Sequence, residues 1–457
     1  MRPIELADRL GRWSCGRGPL PVLLAARIRR LIDDGDLPPG SPLPPDRALA
    51  AALAVGRSTI VTAYDLLTAE GRIVRRQGSG TRVAGGGAPQ PRPTTDAPAF
   101  LHLMEPRDGV ILLACAAPDA PPPEVAEAYT ATLPGLGGMG YHPMGHPRLR
   151  SAVAARYTER GAPTTPDQIL ITTGAQQALS LLARAFVRPG DHIAVETPTY
   201  PGALEAFREE GAILDGLPVG LAGLTPGPGV AYVIGNFHNP TGTVLPDPDR
   251  RRLVRSGVLL IDDEVHTDLG FPGEMPGPPM TGDRVIGVGS LSKVVWGGLR
   301  VGWVRAPVPV ITRLARLRAV HDLGGDVPAQ LATAHLLPRL APIARRGAVQ
   351  RRARHDHLRA ELARHLPGWS VPAVRGGQTL WVRLPRGDGG SFAQQALRHG
   401  VAVLPGSGLD AAGGSRDHLR IHFIAPPAEL TEAVRRLAAA WRDYRPGRAA
   451  APPAMAF

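Results

Sequence analysis

Residues 285–300 read Val-Ile-Gly-Val-Gly-Ser-Leu-Ser-Lys-Val-Val-Trp-Gly-Gly-Leu-Arg and hold the only lysine of the chain, Lys293. The short apolar run VIGV (285–288) has the length of a strand buried on both faces. The lysine follows the end of that strand. Ser290 and Ser292 flank the approach to it, and Arg300 comes seven residues later. Of the 52 basic residues, 51 are arginine. Arginine cannot act as an amine nucleophile, because its guanidinium stays protonated. A lysine at a strand end can form an imine with an aldehyde cofactor, and serines with an arginine suit a phosphate. The bland alternative is a surface lysine that fell in this context by chance.

Outward from this stretch the pattern repeats. ILIT (169–172), HIAV (192–195), AYVI (231–234) and VLLI (258–261) are short apolar strands that alternate with amphipathic helices. Alternation of this kind predicts an α/β fold, with a mostly parallel sheet and helices on both faces. Beyond about residue 340 comes a long Arg-rich helical stretch. Strands at LWVRL (380–384), VAVL (401–404) and LRIHF (419–423) and a helix near 428–443 then predict an α+β subdomain.

Further polar residues stand at the ends of these strands. Thr173-Gly174-Ala175-Gln176 opens a helix, where backbone N–H groups and the helix dipole favour an anion. Asp262 and Asp263 end VLLI; a carboxylate there could keep a pyridine nitrogen protonated, or it could simply cap a helix. Asn239 lies in a turn after another strand, and its amide could bond a phenolic oxygen. Tyr200 could stack on a ring or pack in a loop. Arg420, in LRIHF, could pair a carboxylate bidentately or point to solvent.

The chain has 457 residues, enough for two or three domains. Hydrophobic residues make up 43%, so a substantial core is expected and disorder is not. The net charge of +12 suits a polyanionic partner, although an arginine-rich coding bias would also produce it. Cys15 and Cys115 form no Cys-x-x-Cys pair, which argues against a zinc site or disulfide framework. The N-terminus lacks a signal-peptide core, and no apolar run reaches the roughly 18 residues of a membrane helix. A cytoplasmic protein with no membrane partner is expected.

AGGGAPQPRPTTDAP (84–98) reads as a linker. Before it lies a small basic unit: residues 1–84 hold 13 arginines against 8 acidic residues. Leu23, Leu24, Ile28, Leu31 and Ile32 recur at helical spacing up to Gly35. A helix from about Asp46 to Leu53, a turn at Val55-Gly56 and a helix from Ser58, read as its N-cap, to Gly71 form a helix-turn-helix. Ile60, Ala63, Leu66 and Leu67 are placed to pack. RIVRRQGSGTRV then forms a hairpin around Gly78-Ser79-Gly80. In such a unit the second helix enters the major groove. Arg57, Ser58, Thr59 and Thr62 are the candidate contacts on it, with Arg47 on the preceding helix. Arg75, Arg76 and Arg82 flank the tip at Gly78 and Ser79. An ordinary solvated arginine face is the alternative.

The run from Leu20 to Val83 resembles the GntR family of regulators. Pro45-Asp46-Arg47 departs from that family's usual Ser-Glu-Arg but keeps the arginine. Residues 105–445 resemble fold-type I enzymes of the aspartate aminotransferase group, which carry pyridoxal 5′-phosphate (PLP). This second resemblance implies a Schiff base at Lys293 and phosphate contacts at Gly174, Ala175, Gln176, Ser290, Ser292 and Arg300. It implies stacking by Tyr200, an O3′ contact from Asn239, a pyridine-nitrogen contact from Asp263, and a carboxylate clamp at Arg420. Asp263 is preferred to Asp262 because Asp-Glu-Val-His aligns with the family's Asp-Glu-x-Tyr. His266 therefore replaces a tyrosine that donates to the phenolic oxygen, a departure that weighs against full transaminase competence.

Together the halves resemble the MocR-type subgroup of GntR regulators. The implied layout is a winged helix-turn-helix at 18–84, a linker at 85–104, and an aminotransferase-like domain at 105–445 whose small subdomain begins near 340. The implied function is a homodimeric, PLP-binding transcription regulator that binds double-stranded DNA and senses an amino compound or PLP itself. A working aminotransferase with an appended DNA-binding unit is the rival reading.

Overall fold

The computed structural model describes residues 3–10, 13–14, 18–76, 80–84, 108–118 and 120–446. The chain divides into two units, Met1–Ala97 and Pro98–Phe457. The expected linker at 85–104 and Cys15 lie outside the described residues.

The first unit begins with a helix absent from the sequence reading, α1 (Pro3–Leu10), whose Leu6 and Leu10 are buried. Helix α2 (Leu20–Asp33) buries Leu24, Ala25, Ile28 and Leu31 along one face. The strand β1 (Pro42–Leu43), α3 (Asp46–Leu53) and α4 (Arg57–Ala69) follow. Ala54 ends α3 in the left-handed region, at φ 53°. Ser58 is not the N-cap of α4. Gly56 holds that position with extended backbone, and no side-chain hydrogen bond caps the helix among the described residues. The Thr59 N–H of its first turn donates to the Gly56 carbonyl at 3.0 Å.

Strands β2 (Ile73–Arg76) and β3 (Gly80–Val83) pair antiparallel, with β1 on the far side of β3. Gly78 and Ser79 lie outside the described residues. Leu24, Ile28, Leu49, Ile60, Ala63, Tyr64, Leu67, Ile73 and Val83 share one core. Leu66, expected to pack, is instead 37% exposed. It lies one position, about 100° of helix, from Leu67 and so faces away from the core. Arg29 pairs with Glu70 through both carboxylate oxygens, and Arg72 with Asp33 at 2.7 Å, tying α2 to the end of α4.

The second unit opens with β4 (Ile111–Leu112), α5 (Pro123–Thr132) and α6 (Pro147–Glu159). Its main layer is built from β5 (Ile169–Thr172), α7 (Gly174–Phe186), β6 (His192–Thr197), α8 (Pro201–Glu209), β7 (Ile213–Pro218), β8 (Val230–Val233), α9 (Asp247–Arg255), β9 (Leu259–Asp263), β10 (Val285–Ser290) and β11 (Gly302–Arg305). The sheet order is β5-β11-β10-β9-β8-β6-β7. Strand β11 runs antiparallel to both neighbours, and the other pairings are parallel. The carboxyl ends of β5, β8, β9 and β10 therefore lie along one edge of the sheet, where an open α/β sheet places its ligand.

Helices α10 (Val308–His321), α11 (Val327–Leu336) and α12 (Leu340–His365) lead to the small subdomain. It holds β12 (Thr379–Arg383), α13 (Gly389–Arg398), β13 (Val401–Ala402), β14 (Leu404–Pro405), β15 (His418–His422) and α14 (Pro427–Asp443). The expected single strand VAVL is split: β13 pairs with β4, while β14 pairs with β15 in the sheet β12-β15-β14. The small subdomain thus includes β4, from the beginning of the unit. Among the described residues, no helix is long and apolar enough to cross a membrane.

Burial separates two adjacent leucines of α4. Leu67→Ala is expected to destabilise the first unit by about 2–4 kcal/mol, and Leu66→Ala by under about 0.5 kcal/mol. Chemical denaturation of the full chain measures both; equal effects would contradict the packing described.

Candidate functional site

A cavity of about 330 Å³ opens at the carboxyl edge of the large sheet. Ala175, Gln176, Tyr200, Asn239, Asp263, His266, Ser290, Ser292, Lys293, Arg300 and Arg420 all line it. Gly174 does not line the cavity but shapes the turn beside it. Its φ is +78°, and a Cβ there would lie 3.2 Å from Arg300 Nη2. Gly302 on β11 lets the turn come close, since a Cβ would lie 2.6 Å from the Gly174 carbonyl carbon.

Lys293 Nζ donates to the Ala116 carbonyl at 2.6 Å, and burial pushes its pKa down. Ser290 Oγ donates to the Val301 carbonyl, so Ser292 Oγ donates to Ser290 Oγ across 2.7 Å. Arg300, in the left-handed region, donates to the Thr173 carbonyl at 3.1 Å. Two serines, an arginine and the N-terminus of α7 thus converge beside the amine.

Asp263 Oδ2 accepts from the Tyr232 hydroxyl at 2.7 Å, and Oδ1 from the Val265 N–H at 3.1 Å. Burial pushes its pKa up to about 6. Asp262 accepts instead from the Gly235 N–H and does not line the cavity. Successive residues of a strand face opposite sides of the sheet, which separates the two carboxylates.

Tyr200 donates to Gln176 Oε1 at 3.0 Å, and Gln176 Nε2 donates to the Gly202 carbonyl at 2.8 Å. Arg420 Nη1 donates to Asn239 Oδ1 at 3.3 Å, which turns the amide nitrogen of Asn239 away from the arginine. Arg420 Nη2 donates to the Ala114 carbonyl at 2.5 Å, and its Nε is buried with no partner among the described residues. Burial pushes the guanidinium down to about 10.

His266 Nδ1 lies 2.9 Å from the Phe237 carbonyl, an acceptor only, so Nδ1 carries the proton. Burial pushes its pKa down to about 3. The neutral ring is left with an unprotonated Nε2, an acceptor where a tyrosine would donate.

Sequence reasoning missed the segment 114–117, Gln378 and Thr379, which also line the cavity. The segment contributes backbone carbonyls, and Gln378 fixes the Lys293 carbonyl at 2.9 Å. Neither carries a motif.

In the first unit, Arg47, Arg57, Ser58 and Thr62 are exposed and Thr59 is half-buried. Arg75 differs from the expected contact. Its guanidinium pairs with Asp46 at 3.1 Å and Asp65 at 2.8 Å and lies 5.3 Å from the Tyr64 ring centroid. Arg82 donates to the Gly40 carbonyl, and Arg76 closes β2.

Fold and site together define an aminotransferase-type domain joined to a helix-turn-helix unit. Residues 108–437 match the family "Aminotransferase class I and II", and residues 23–83 match "Bacterial regulatory proteins, gntR family". The Bacillus subtilis HTH-type transcriptional regulator YisV, itself uncharacterised, is 30% identical over 91% of this chain and 94% of its own. The pyridoxine biosynthesis transcriptional regulator PdxR of Corynebacterium glutamicum is 32% identical over 78% of this chain and 82% of its own. The solved structure of LysN, the α-aminoadipate aminotransferase of Thermus thermophilus, superposes with a TM-score of 0.69 at 29% identity, covering 76% of this chain and 95% of LysN. The chain belongs to the GntR-type helix-turn-helix transcription regulators that carry an aminotransferase class I and II domain, the MocR and PdxR type.

The buried neutral histidine sets a pH dependence. Below its ordinary pKa of 6.5, the unfolded chain takes up a proton at His266 that the folded chain does not. Stability is therefore lost as pH falls from 6.5 toward 3. Asp263, with its raised pKa, works in the opposite sense below about 6. His266→Asn is expected to flatten the acid slope by up to about 1.4 kcal/mol per pH unit. Denaturation of both proteins between about pH 7 and pH 4 measures this; parallel slopes would show that His266 is not held neutral.

Proposed function

We propose that this regulator holds PLP on Lys293 and uses the loaded cavity to sense an amino compound, or PLP itself, and so alter its binding to double-stranded DNA. The observation that carries the reading is the single lysine of the chain, its amine favoured in the uncharged form by burial, in one cavity with Asp263, the two serines and both arginines. The residues fit the group. Lys293 would hold the aldehyde as a Schiff base. The Gly174-Ala175-Gln176 turn, Ser290, Ser292 and Arg300 would hold the phosphate. Asp263 would face the pyridine nitrogen, Tyr200 the ring, and Asn239 and His266 the phenolic oxygen. Bound there, PLP supplies an electron sink and a carbonyl that exchanges amines. Arg420 would take the carboxylate of an amino-acid effector.

Two relatives support the reading. PdxR is named for pyridoxine biosynthesis, and LysN was solved with a phosphopyridoxyl-leucine adduct. On the first unit, α4 would enter the major groove with Arg57, Ser58, Thr59 and Thr62 leading. Arg47 would hold phosphate, with Arg76, Gly78 and Ser79 at the wing. Such a protein acts on DNA in the cytoplasm. A homodimer would cover Met139, Tyr141, Val320 and Leu323, apolar side chains exposed on segments that meet where Gly324 packs against the His142 backbone.

The acceptor edge of His266 favours sensing over turnover, because it cannot donate to a phenolate oxygen. His266→Tyr is expected to raise any amino-donor to keto-acceptor transfer about tenfold or more, measured with excess PLP. No rise would place His266 outside the reacting region.

Incubation with PLP, borohydride reduction and peptide mass mapping test the reading directly. The expected result is one phosphopyridoxyl adduct, on Lys293, that Lys293→Ala abolishes. An adduct elsewhere, or none, would overturn it. Arg57→Ala is expected to weaken binding to a duplex from the regulator's own upstream region about tenfold and to leave the adduct intact. Loss of both together would contradict the separation of roles.

A further inference from the structure

The two side chains assigned to hold ligand are already occupied by the protein itself. Lys293 Nζ donates to the Ala116 carbonyl at 2.6 Å, and Arg420 Nη2 donates to the Ala114 carbonyl at 2.5 Å. Both acceptors belong to one short segment, residues 114–117, which lines the cavity. Just upstream, the chain is anchored to the small subdomain. Ile111 N–H donates to the Gly400 carbonyl and Leu113 N–H to the Ala402 carbonyl; the Leu113 carbonyl accepts from His422 N–H, and the Leu112 carbonyl from His422 Nε2. Among the described residues, the backbone of 114–117 is held by the two hydrogen bonds from Lys293 and Arg420. Ala114 and Ala116 are buried, and Cys115 between them is half-buried.

An amine and a guanidinium held by carbonyls two residues apart are donors satisfied by a stand-in. A ligand bearing a carboxylate must take Arg420 from Ala114. An aldehyde must take Lys293 from Ala116. Neither exchange leaves the segment with its present partners. Upstream, in chain order, the segment leads through residue 108 to the stretch that joins the DNA-binding unit.

We propose that residues 114–117 are a self-occupying latch, held by the Lys293 and Arg420 hydrogen bonds to Ala116 and Ala114 and displaced when the cavity is loaded. The inference rests on the reading of those two side chains as the ligand-holding groups. A latch of this kind lowers the apparent affinity for ligand by the fraction of molecules in which it is open. It also makes the freed segment the first part of the large unit to register occupancy.

Two measurements test the latch. The first needs no ligand. In a Cys15→Ser background Cys115 is the sole thiol, and its rate of alkylation by iodoacetamide reports the latch. Lys293→Met and Arg420→Gln each remove one of the two bonds and are expected to raise that rate about threefold or more, with melting temperature as the control for folding. An unchanged or slower rate in both variants would overturn the latch.

The second keeps Lys293 and Arg420 intact. Replacing Ala114 and Ala116 together by glycine raises the entropy of the open segment and so shifts the balance toward it, roughly two- to fivefold per change. This variant is expected to bind PLP about fivefold more tightly in a visible-absorbance titration. Equal or weaker binding would overturn displacement and leave 114–117 as wall only. If neither protein gives a cofactor signal, the proposed function falls, and the alkylation rates alone decide the latch.

Discussion

Keeping a primary amine uncharged is the constraint on which the site depends. In water a lysine is protonated and is not a nucleophile. Here the end of β10 carries the amine into a cavity where burial disfavours the ammonium form. The parallel sheet produces that position. It brings the carboxyl ends of β5, β8, β9 and β10 to one edge, so residues from distant parts of the chain reach one cavity.

The electrostatics of the cavity are unbalanced in a consistent direction. Asp263 keeps two hydrogen bonds yet sits near pKa 6, so a cationic ring nitrogen would relieve it. Arg420 has one buried nitrogen without a partner among the described residues and two others bound to groups that a carboxylate could replace. His266 is a neutral acceptor. The proposed PLP and a carboxylate-bearing amine would answer this imbalance, and at position 266 an imidazole stands where the aminotransferase resemblance implies a phenolic donor. In the first unit the arginines divide by partner. Arg29, Arg72 and Arg75 are paired with carboxylates of their own fold, whereas Arg47 and Arg57 are exposed.

Much of this was legible in the residues. The strand at 169–172 matches its apolar run, and VIGV is the buried start of β10, because short β-branched runs between helices have few other solutions. Most of the residues proposed to hold the cofactor line one cavity and drew notice by standing at or just past a strand end, whereas Arg420 lies in the middle of β15. What was not legible has physical reasons. Strand β7 carries Asp215 and Gly216 and sits at the sheet edge, so it lacks an apolar run. The division of VAVL into β13 and β14 depends on β4, nearly three hundred residues earlier. The N-cap of α4 went to Gly56 and not Ser58, a shift of two residues that backbone geometry makes and composition does not. Arg75 looked free because Asp46 and Asp65 meet it only in the folded unit. Segment 114–117 acts through backbone carbonyls, which no side-chain motif announces.

The central claim is that occupancy at Lys293 changes the affinity of the DNA-binding unit. A fluorescence anisotropy titration of a duplex from the regulator's own upstream region, at fixed salt, tests it directly. With and without saturating PLP, the account predicts affinities that differ several-fold for the native chain and coincide for Lys293→Ala. Equal affinities for the native chain in both conditions, or a shift that persists without the lysine, would contradict it.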